Sequence, residues 1–288
     1  MKKLFFIIAC LLIHISAIFA QEIKIMAWNI FMVPPMIFKS CQTERAFLIA
    51  DYVRSINPDV LVLEETFMKS TRSIIDDSLK HIFPYQSAIT KKGFFRTNSG
   101  VWILSKYPIG KQSFLTYRNK TGSDIFAKKG ATFIELEIQQ KKIQIIGTHA
   151  QSLNKNKSVR DKQFQQLKSK MCDVYFSDSV PQFIVGDLNC DYYDTAEYNG
   201  MIKKLEALPV VFAGEKHSWN GLENDLANKF SEHTLETLDY ILLRNQHHPF
   251  AEIVSTDILK PKNKDCFCKY KFQYLSDHHP VISTIRLK

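Results

Sequence analysis

Short runs of apolar and β-branched residues recur along the chain, and turn-forming residues bound each run, which predicts strands. These runs cover residues 23–31, 59–66, 99–106, 131–138, 142–149, 182–189, 238–243 and 278–287. Two segments, 43–56 and 158–176, instead repeat apolar residues at helical spacing, and Thr43 is an N-cap candidate for the first helix. Many strands and few helices in mixed order predict an α/β fold built from sandwich layers.

The first twenty residues, "MKKLFFIIACLLIHISAIFA", begin with two lysines and end in small residues after a long apolar run. This order is typical of a secretory signal peptide cleaved after Ala20. The alternative is a membrane anchor, but the apolar run over 4–19 is short for a bilayer-spanning helix. The remaining residues, 21–288, contain no repeat, low-complexity tract or linker, so we predict one domain that is exported to the periplasm or the medium.

The formal net charge is +9, and removal of Lys2 and Lys3 with the signal peptide leaves +7. A basic surface suits phosphate-bearing partners such as nucleic acid or a membrane face, although charge also serves solubility alone. An odd number of cysteines remains, so at least one thiol is free or paired outside the chain: Cys41, Cys172, Cys190, Cys266 and Cys268. The last two can pair with each other or with distant cysteines.

Polar residues lie at the ends of five predicted strands, which is where layered α/β folds gather ligands. Taken singly, each has an ordinary structural explanation, such as a turn residue, a satisfied histidine or an Asx turn. Taken together, they describe a site for one divalent cation, one activated water and one phosphate. The set comprises Asn29, Glu65, His149, the pair Asp187 and Asn189, and the pair Asp277 and His278.

Two acidic residues follow or interrupt apolar strands and therefore need partners. Glu65 ends the run "DVLVLEE", where a carboxylate must be paired, solvated or bound to a cation. Glu64 competes for this assignment, since neighbours in a strand face opposite sides and only one of them can share the site. Asp239 lies in the apolar run "LDYILL", and the segment "SDHHPV" offers His278 and His279 as its partner.

Seven motifs occur in an order that resembles the endonuclease/exonuclease/phosphatase superfamily: "WNIF", "LEET", "SGVWILSKYPI", "GTH", "GDLN", "LDYI" and "SDHHPV". Four further stretches, "QTERA", "KKGATF", "SVR" and "HSWNGLENDLANKF", are similar to secreted bacterial neutral sphingomyelinases, also called sphingomyelinase C. The resemblance implies a DNase I-like, four-layered α/β sandwich with two central mixed sheets between helices. It also implies cleavage of phosphate esters with Mg²⁺, which Mn²⁺ or Co²⁺ can replace.

The resemblance further implies which residues act. Glu65 is the principal Mg²⁺ ligand with Asn29 beside it, and Asp277 lies near a metal or water position. His278 resembles the general base that activates water. Asp239 orients the ring of that histidine and stabilises its imidazolium form.

On the phosphate side, the resemblance implies four more roles. Asp187 positions the water or the base, and Asn189 holds a phosphate oxygen. His149 donates to the phosphate or protonates the leaving group. Asn224 corresponds to an asparagine near the phosphate.

If the substrate is sphingomyelin, a monomer releases ceramide and phosphocholine while associated peripherally with a membrane. Members of the resembled family dip an aromatic-tipped hairpin into the lipid, and the corresponding segment here, 259–281, is shorter and lacks the paired Trp–Phe tip. Phe267, Tyr270 and Phe272 with nearby lysines form either an interfacial patch or an ordinary strand pair with a solvated basic face.

Two other functions compete with this hypothesis. A secreted nuclease on the same fold would share the catalytic set, and its polyanionic substrate suits the positive charge. Against it stand "QTERA" and "HSWNGLEND", which resemble sphingomyelinases. A non-catalytic binding module should have lost at least one of Glu65, Asp187, Asp239 and His278, and the sequence retains all four.

Overall fold

Two mixed β-sheets lie face to face at the centre of this computed structural model, which describes residues 21–91, 96–230 and 234–288. The predicted signal peptide lies outside the described residues. The strands are β1 Gln21–Asn29, β2 Val60–Glu64, β3 Tyr85–Gln86, β4 Trp102–Ser105, β5 Ile109–Thr116, β6 Gly130–Ile138, β7 Lys141–His149, β8 Gln182–Asp187, β9 Ala213–Gly214, β10 Trp219–Asn220, β11 Leu235–Glu236, β12 Asp239–Leu243, β13 Ala251–Ile258 and β14 Val281–Leu287. The α-helices are α1 Gln42–Ile56, α2 Lys69–Leu79, α3 Lys157–Leu167 and α4 Thr195–Leu205.

The larger sheet has the strand order β3-β4-β2-β1-β14-β13-β9, and the smaller has the order β12-β8-β7-β6-β5. Parallel pairs lie near the middle of each sheet: β1 with β2, and β7 with β8. Strands β10 and β11 form a separate two-stranded ribbon. Because parallel neighbours run in one direction, their carboxyl ends meet at one edge of each sheet.

Side-chain alternation along the strands divides the core into layers. On β1, Ile23, Ile25 and Ala27 pack against the other sheet, while Met26 and Trp28 pack beneath α1 and α2. Helices α3 and α4 cover the outer face of the smaller sheet. The predicted four-layered α/β sandwich is therefore confirmed. Among the helices described, none is long and apolar enough to cross a bilayer.

Several element boundaries differ from those predicted. Helix α1 begins at Gln42 after Cys41, whose φ of 56° ends the preceding loop, so Thr43 lies inside the helix and is not its cap. The second predicted helix ends at Leu167 and continues as one π-helical turn to Cys172. Strand β14 begins only at Val281, so the histidine pair precedes the strand instead of entering it.

A disulfide joins Cys41 to Cys268, across 227 positions of sequence. It ties the start of α1 to the segment between β13 and β14. That segment contains no regular strand. An antiparallel bridge between Lys262 and Tyr274, with the hydrogen bonds Asn263 N–H to Gln273 O and Phe267 N–H to Phe272 O, forms only a short, irregular hairpin. Phe272 is only 4% exposed, which removes it from any interfacial patch.

A buried arginine, Arg45 in the "QTERA" stretch, joins the loop after β1 to the segment before β14. Its guanidinium donates to the carbonyl oxygens of Leu275 (2.7 Å), Phe31 (2.9 Å) and Ile30, and to Ser40 Oγ (2.8 Å). We expect Arg45→Met to lower the free energy of unfolding by at least about 3 kcal/mol, since it leaves four buried acceptors without this donor. Chemical denaturation measures the change.

The matched control is Arg54→Met on the same helix. Arg54 pairs with Asp51 at the surface, and its side chain is 48% exposed, so its loss should change stability by less than about 1 kcal/mol. Equal losses for the two variants would contradict the assigned role of Arg45.

Candidate active site

A cleft of about 380 Å³ opens where the strands of both sheets end. Asn29 closes β1 opposite Glu64 at the end of β2, and His149 closes β7 opposite Asp187 at the end of β8. Seven of the predicted site residues line this cleft: Asn29, Glu65, His149, Asp187, Asn189, Asp277 and His278. The sheet topology thus brings together residues that are far apart in sequence.

His278 and Asp239 form a buried hydrogen-bonded pair on one side of the cleft. His278 Nδ1 lies 2.8 Å from Asp239 Oδ2, which assigns the ring proton to Nδ1 and leaves Nε2 facing the cleft. The Trp28 indole donates to the backbone oxygen of His278 at 2.9 Å, and the Trp219 ring packs edge-on against the imidazole. Burial lowers the pKa of His278, but the carboxylates of Asp239 and Asp187 outweigh it and hold that pKa well above its usual range.

Asp187 lies between two histidines. Its Oδ2 is 3.3 Å from His149 Nε2 and 3.8 Å from His278 Nε2, and it accepts a hydrogen bond from the Asn29 amide at 3.1 Å. Its Oδ1 accepts the backbone N–H of Asn189 at 2.9 Å, the Asx-type turn considered from the sequence. Burial raises the pKa of Asp187 to about 6. Because Asp187 Oδ2 lies 3.8 Å from His278 Nε2, this carboxylate can accept a hydrogen bond from a water beside the base.

The surroundings of His149 contain a residue that the sequence analysis did not assign to the site. The Lys129 ammonium contacts His149 Nε2 (2.8 Å), Ala150 O (3.0 Å) and Asp124 Oδ2 (3.0 Å), which uses all three of its donors. Burial, followed by the charge of Lys129, holds the pKa of His149 well below its usual range. His149 is therefore neutral, with its proton on Nδ1. One indication of this role is present in the sequence, since Lys129 lies in the "KKGATF" stretch that resembles sphingomyelinases.

The two neighbouring glutamates have different surroundings. Glu65 follows β2 with a φ of 56°, a left-handed conformation that turns it into the cleft. Its Oε2 is buried and has no hydrogen-bond partner among the described residues, and burial together with Asp277 raises its pKa to about 7. Glu64 lies between the sheets, fully buried, with both oxygens unpartnered in the described part of the chain. Burial, then Asp239 and Asp187, raises its pKa well above the usual range.

Gly186 makes room for Glu64. Its φ is 132°, and a Cβ at this position would lie 2.5 Å from Glu64 Oε1 and 2.2 Å from the backbone oxygen of Thr148. Any side chain here would therefore displace β7 or the buried carboxyl group. The glycine of "GDLN" thus allows the sheets to approach closely just beneath the cleft.

The oxygen atoms of the cleft suit a hard divalent cation. Glu65 presents a buried oxygen that has no partner in the part of the chain that the structure describes. Asn29 and Asp277 add amide and carboxylate oxygens at the same edge, the ligand types that Mg²⁺ prefers. Donor atoms of Asp187, Asp239 and His278 also lie within 4.8 Å of one another. In that second group, however, His278 Nδ1 and Asp239 Oδ2 are already hydrogen-bonded to each other and are therefore not available as metal ligands.

Two candidate residues lie outside the cleft lining. The side-chain amide of Asn224 donates to the backbone oxygens of Ser276 (2.8 Å) and Asp277 (3.2 Å), while its Oδ1 accepts from Leu226 N–H at 3.0 Å. This asparagine therefore fixes the backbone before His278 and has no free group for a phosphate. Asp239 also lies behind the lining, as expected for a residue that acts through the histidine.

His279 differs from its neighbour in every contact. Its N–H donates to Ser218 O at 2.7 Å, and its Nδ1 lies 3.1 Å from His217 O. The ring stacks on Tyr274 at 5.6 Å and is 1% exposed. Strand alternation does not separate the two histidines, since both precede β14. The separation comes from these loop contacts, which direct only His278 to the cleft.

Comparison with known proteins gives several relatives in sequence and in fold. Sphingomyelinase C 2 of Leptospira interrogans is 33% identical over 90% of this chain, which spans only 45% of that longer protein. Sphingomyelinase C of Bacillus cereus is 27% identical over 93% of this chain and 90% of its own length. The crystal structure of sphingomyelinase C from Streptomyces griseocarneus shares the fold, with a TM-score of 0.83, 24% identity, and coverage of 92% of this chain and 99% of that chain.

A structure of a Staphylococcus aureus beta toxin variant with bound magnesium ions also superimposes, with a TM-score of 0.82 at 23% identity over 93% of this chain and 100% of that chain. The model of the Endonuclease/Exonuclease/phosphatase family matches residues 26–278, which include every residue of the cleft named above. This chain therefore belongs to the endonuclease/exonuclease/phosphatase family.

Proposed function

We propose that this protein hydrolyses sphingomyelin to ceramide and phosphocholine in a Mg²⁺-dependent reaction. The observation that carries the proposal is the pairing of His278 with Asp239 beside the cleft that Glu65 lines, whose Oε2 has no hydrogen-bond partner among the described residues. A base and a cation ligand in one cleft suit water attack on a phosphodiester. The named relatives, which include sphingomyelinases of Leptospira and Bacillus, support the lipid substrate.

Glu65, Asn29 and Asp277 would hold the cation, which would neutralise charge on the phosphate oxygens and stabilise the leaving alkoxide. Mn²⁺ and Co²⁺ are expected to replace Mg²⁺. The Staphylococcus aureus beta toxin variant, which has this fold, binds magnesium ions, in agreement with the choice of metal.

His278 accepts the proton of the attacking water at Nε2. Its raised pKa makes it a strong base, and Asp239 stabilises the imidazolium that forms. Asp187 orients the same water through Oδ2, 3.8 Å from the accepting nitrogen. The water oxygen then bonds to phosphorus as the bond from phosphorus to the ceramide oxygen breaks. The departing alkoxide takes a proton from solvent water, and the proton held by His278 returns to solvent.

His149 and Asn189 act on the phosphate side. Because the pKa of His149 is held well below its usual range, we assign it a hydrogen-bonding role through the neutral ring in preference to that of a general acid. Asn189 lies two residues after Asp187 with a φ of 50°, and its side-chain amide donates one hydrogen to Ala150 O at 3.3 Å. The second N–H of that amide is left to donate to a phosphate oxygen. Asn224 is proposed to position this region only through the backbone.

We further propose that residues 21–288 form one secreted, monomeric catalytic domain that associates peripherally with membranes. The order of charged, apolar and small residues over 1–20 supports export. So does the Cys41–Cys268 disulfide, since disulfides persist in oxidising compartments.

The test incubates purified protein and Mg²⁺ with sphingomyelin vesicles or with plasmid DNA. We expect phosphocholine release that ceases when EDTA is added, and intact plasmid. Nicked plasmid without phosphocholine release would overturn the proposal and support the nuclease hypothesis.

A further inference from the structure

Two apolar side chains project into solvent at the tip of the loop after β1. Met36 is 91% exposed and Ile37 is 69% exposed. Hydrogen bonds close the loop into a turn: Pro34 O accepts the backbone N–H groups of Ile37 (2.8 Å) and Phe38 (3.2 Å), and the Gln42 amide donates to Phe38 O at 2.6 Å. Neighbouring apolar groups exposed at the tip of such a turn indicate a contact surface.

Aromatic rings connect this tip to the mouth of the cleft. The ring centroid of Phe230 lies 5.0 Å from that of Phe38 and 5.3 Å from that of Phe31. Both Phe230 and Phe31 line the cleft. On the other side, Phe38 lies 6.4 Å from Phe272, which in turn lies 6.2 Å from Tyr270. Phe230 is 53% exposed and Tyr270 is 40% exposed. The exposed apolar groups at the loop tip, at Phe230 and at Tyr270 are therefore joined beneath the surface by packed rings, of which Phe31 and Phe272 are buried.

Exposed lysines adjoin each part of this surface in the sequence: Lys39, Lys229, Lys269 and Lys271. Within the described ranges, no carboxylate lies within ion-pair distance of these four ammonium groups. Apolar and aromatic tips flanked by lysines match a lipid surface, where the apolar groups enter the acyl boundary and the ammonium groups meet headgroup phosphates.

We propose that Met36, Ile37, Phe230 and Tyr270, together the rim patch, insert into the outer layer of a phosphocholine-bearing bilayer. This inference rests on the proposed function and names the surface that delivers a membrane-embedded substrate to the cleft. The segment between β13 and β14 forms only a short, irregular hairpin that turns at residues 268–271, where Tyr270 is 40% exposed. The loop after β1 carries the more exposed apolar side chains and therefore supplies the leading tip. The Cys41–Cys268 disulfide joins the segment that carries Met36 and Ile37 to the segment that carries Tyr270, so these two parts of the patch approach the membrane as one unit.

The test replaces both tip residues, as Met36→Ser with Ile37→Ser, and measures sedimentation with phosphatidylcholine–sphingomyelin vesicles in EDTA, where no turnover occurs. We expect vesicle affinity to fall by roughly tenfold, because two exposed apolar side chains no longer leave water. With Mg²⁺, hydrolysis of vesicle sphingomyelin should fall by a similar factor. Hydrolysis of a monomeric, water-soluble phosphocholine diester should remain unchanged.

The matched control is Val174→Ser. Val174 is 60% exposed, but it lies beside Cys172, whose backbone oxygen accepts from Gln182 at the start of β8, the end of the sheet opposite the cleft. This change should leave vesicle affinity unaltered.

Unchanged vesicle affinity in the double variant would overturn the inference. So would a loss of self-association in sedimentation velocity with vesicle binding intact, which would make the patch an interface between copies. If the unmodified protein hydrolyses neither choline substrate, the proposed function fails, while the vesicle measurement in EDTA still decides the role of the rim patch.

Discussion

Replacing His278 by alanine is expected to lower kcat for sphingomyelin hydrolysis by roughly 10²–10⁴-fold, the usual contribution of a positioned general base. Asp239 holds the Nδ1 side of the His278 ring at 2.8 Å, and Nε2 faces Asp187 in the cleft, where it can accept a proton from water. Phosphocholine release under saturating substrate measures the loss. KM should change little, since the ring acts on the water.

The matched control is His279→Asn. An asparagine amide can donate to His217 O as the Nδ1–H of His279 does, at 3.1 Å in the native protein. We expect most activity to remain, with some loss of stability from the missing ring stacked on Tyr274. Similar losses of kcat for the two variants would mean that the base is assigned incorrectly.

The pH profile provides a second measure of the pair. The base must be neutral to accept a proton, so activity should rise as pH increases through the pKa of His278, which is held above its usual range by Asp239 and Asp187 against the effect of burial. Asp239→Asn removes one of the raising charges. Its acidic limb should therefore move to lower pH, while kcat falls because the imidazolium loses its partner. If the acidic limb of the pH profile does not move in Asp239→Asn, Asp239 does not raise the pKa of His278 as assigned.

The sequence was sufficient to predict the layers of the fold because the strands of the inner core are strongly apolar. The runs at 142–149 and 182–189 became β7 and β8 with nearly the predicted ends. Strand β5 escaped prediction because it is an edge strand whose positions alternate between half-buried and exposed without a continuous apolar run. Strand β13 is also largely exposed along its middle.

The candidate site was predictable to the extent that strand ends meet at one edge, which follows from parallel pairing alone. What remained inaccessible were contacts made by loops. The sequence cannot reveal that backbone groups take up the hydrogen-bonding capacity of the Asn224 side chain. Nor can it reveal that the Lys129 ammonium contacts His149, Ala150 O and Asp124. Nor does spacing distinguish Glu64 from Glu65, since the left-handed φ of Glu65 arises from the loop geometry after β2.

Replacing Glu65 by glutamine is expected to reduce Mg²⁺-dependent hydrolysis by roughly 10²-fold or more, because the cation loses its charged ligand. The basis of this assignment is that Glu65 Oε2 is buried and meets no hydrogen-bond partner within residues 21–91, 96–230 and 234–288. A measurement independent of turnover is the rise in Tm on adding Mg²⁺, which binding to the folded state produces and which the variant should lose. In the unmodified protein this rise should weaken below about pH 7, since protons compete for a carboxylate whose pKa is about 7.

Glu64→Gln is the matched control, one position away. Its carboxyl group, with a pKa raised well above the usual range, is neutral in the folded protein, and glutamine copies that neutral form in shape. We therefore expect Mg²⁺-dependent activity and the Mg²⁺-induced rise in Tm to persist. Because a raised folded-state pKa gives stability that is lost as pH rises through it, the variant should become more stable relative to the unmodified protein at alkaline pH. If Glu64→Gln abolishes the Mg²⁺ response and Glu65→Gln preserves it, the two glutamates have been assigned in the wrong order.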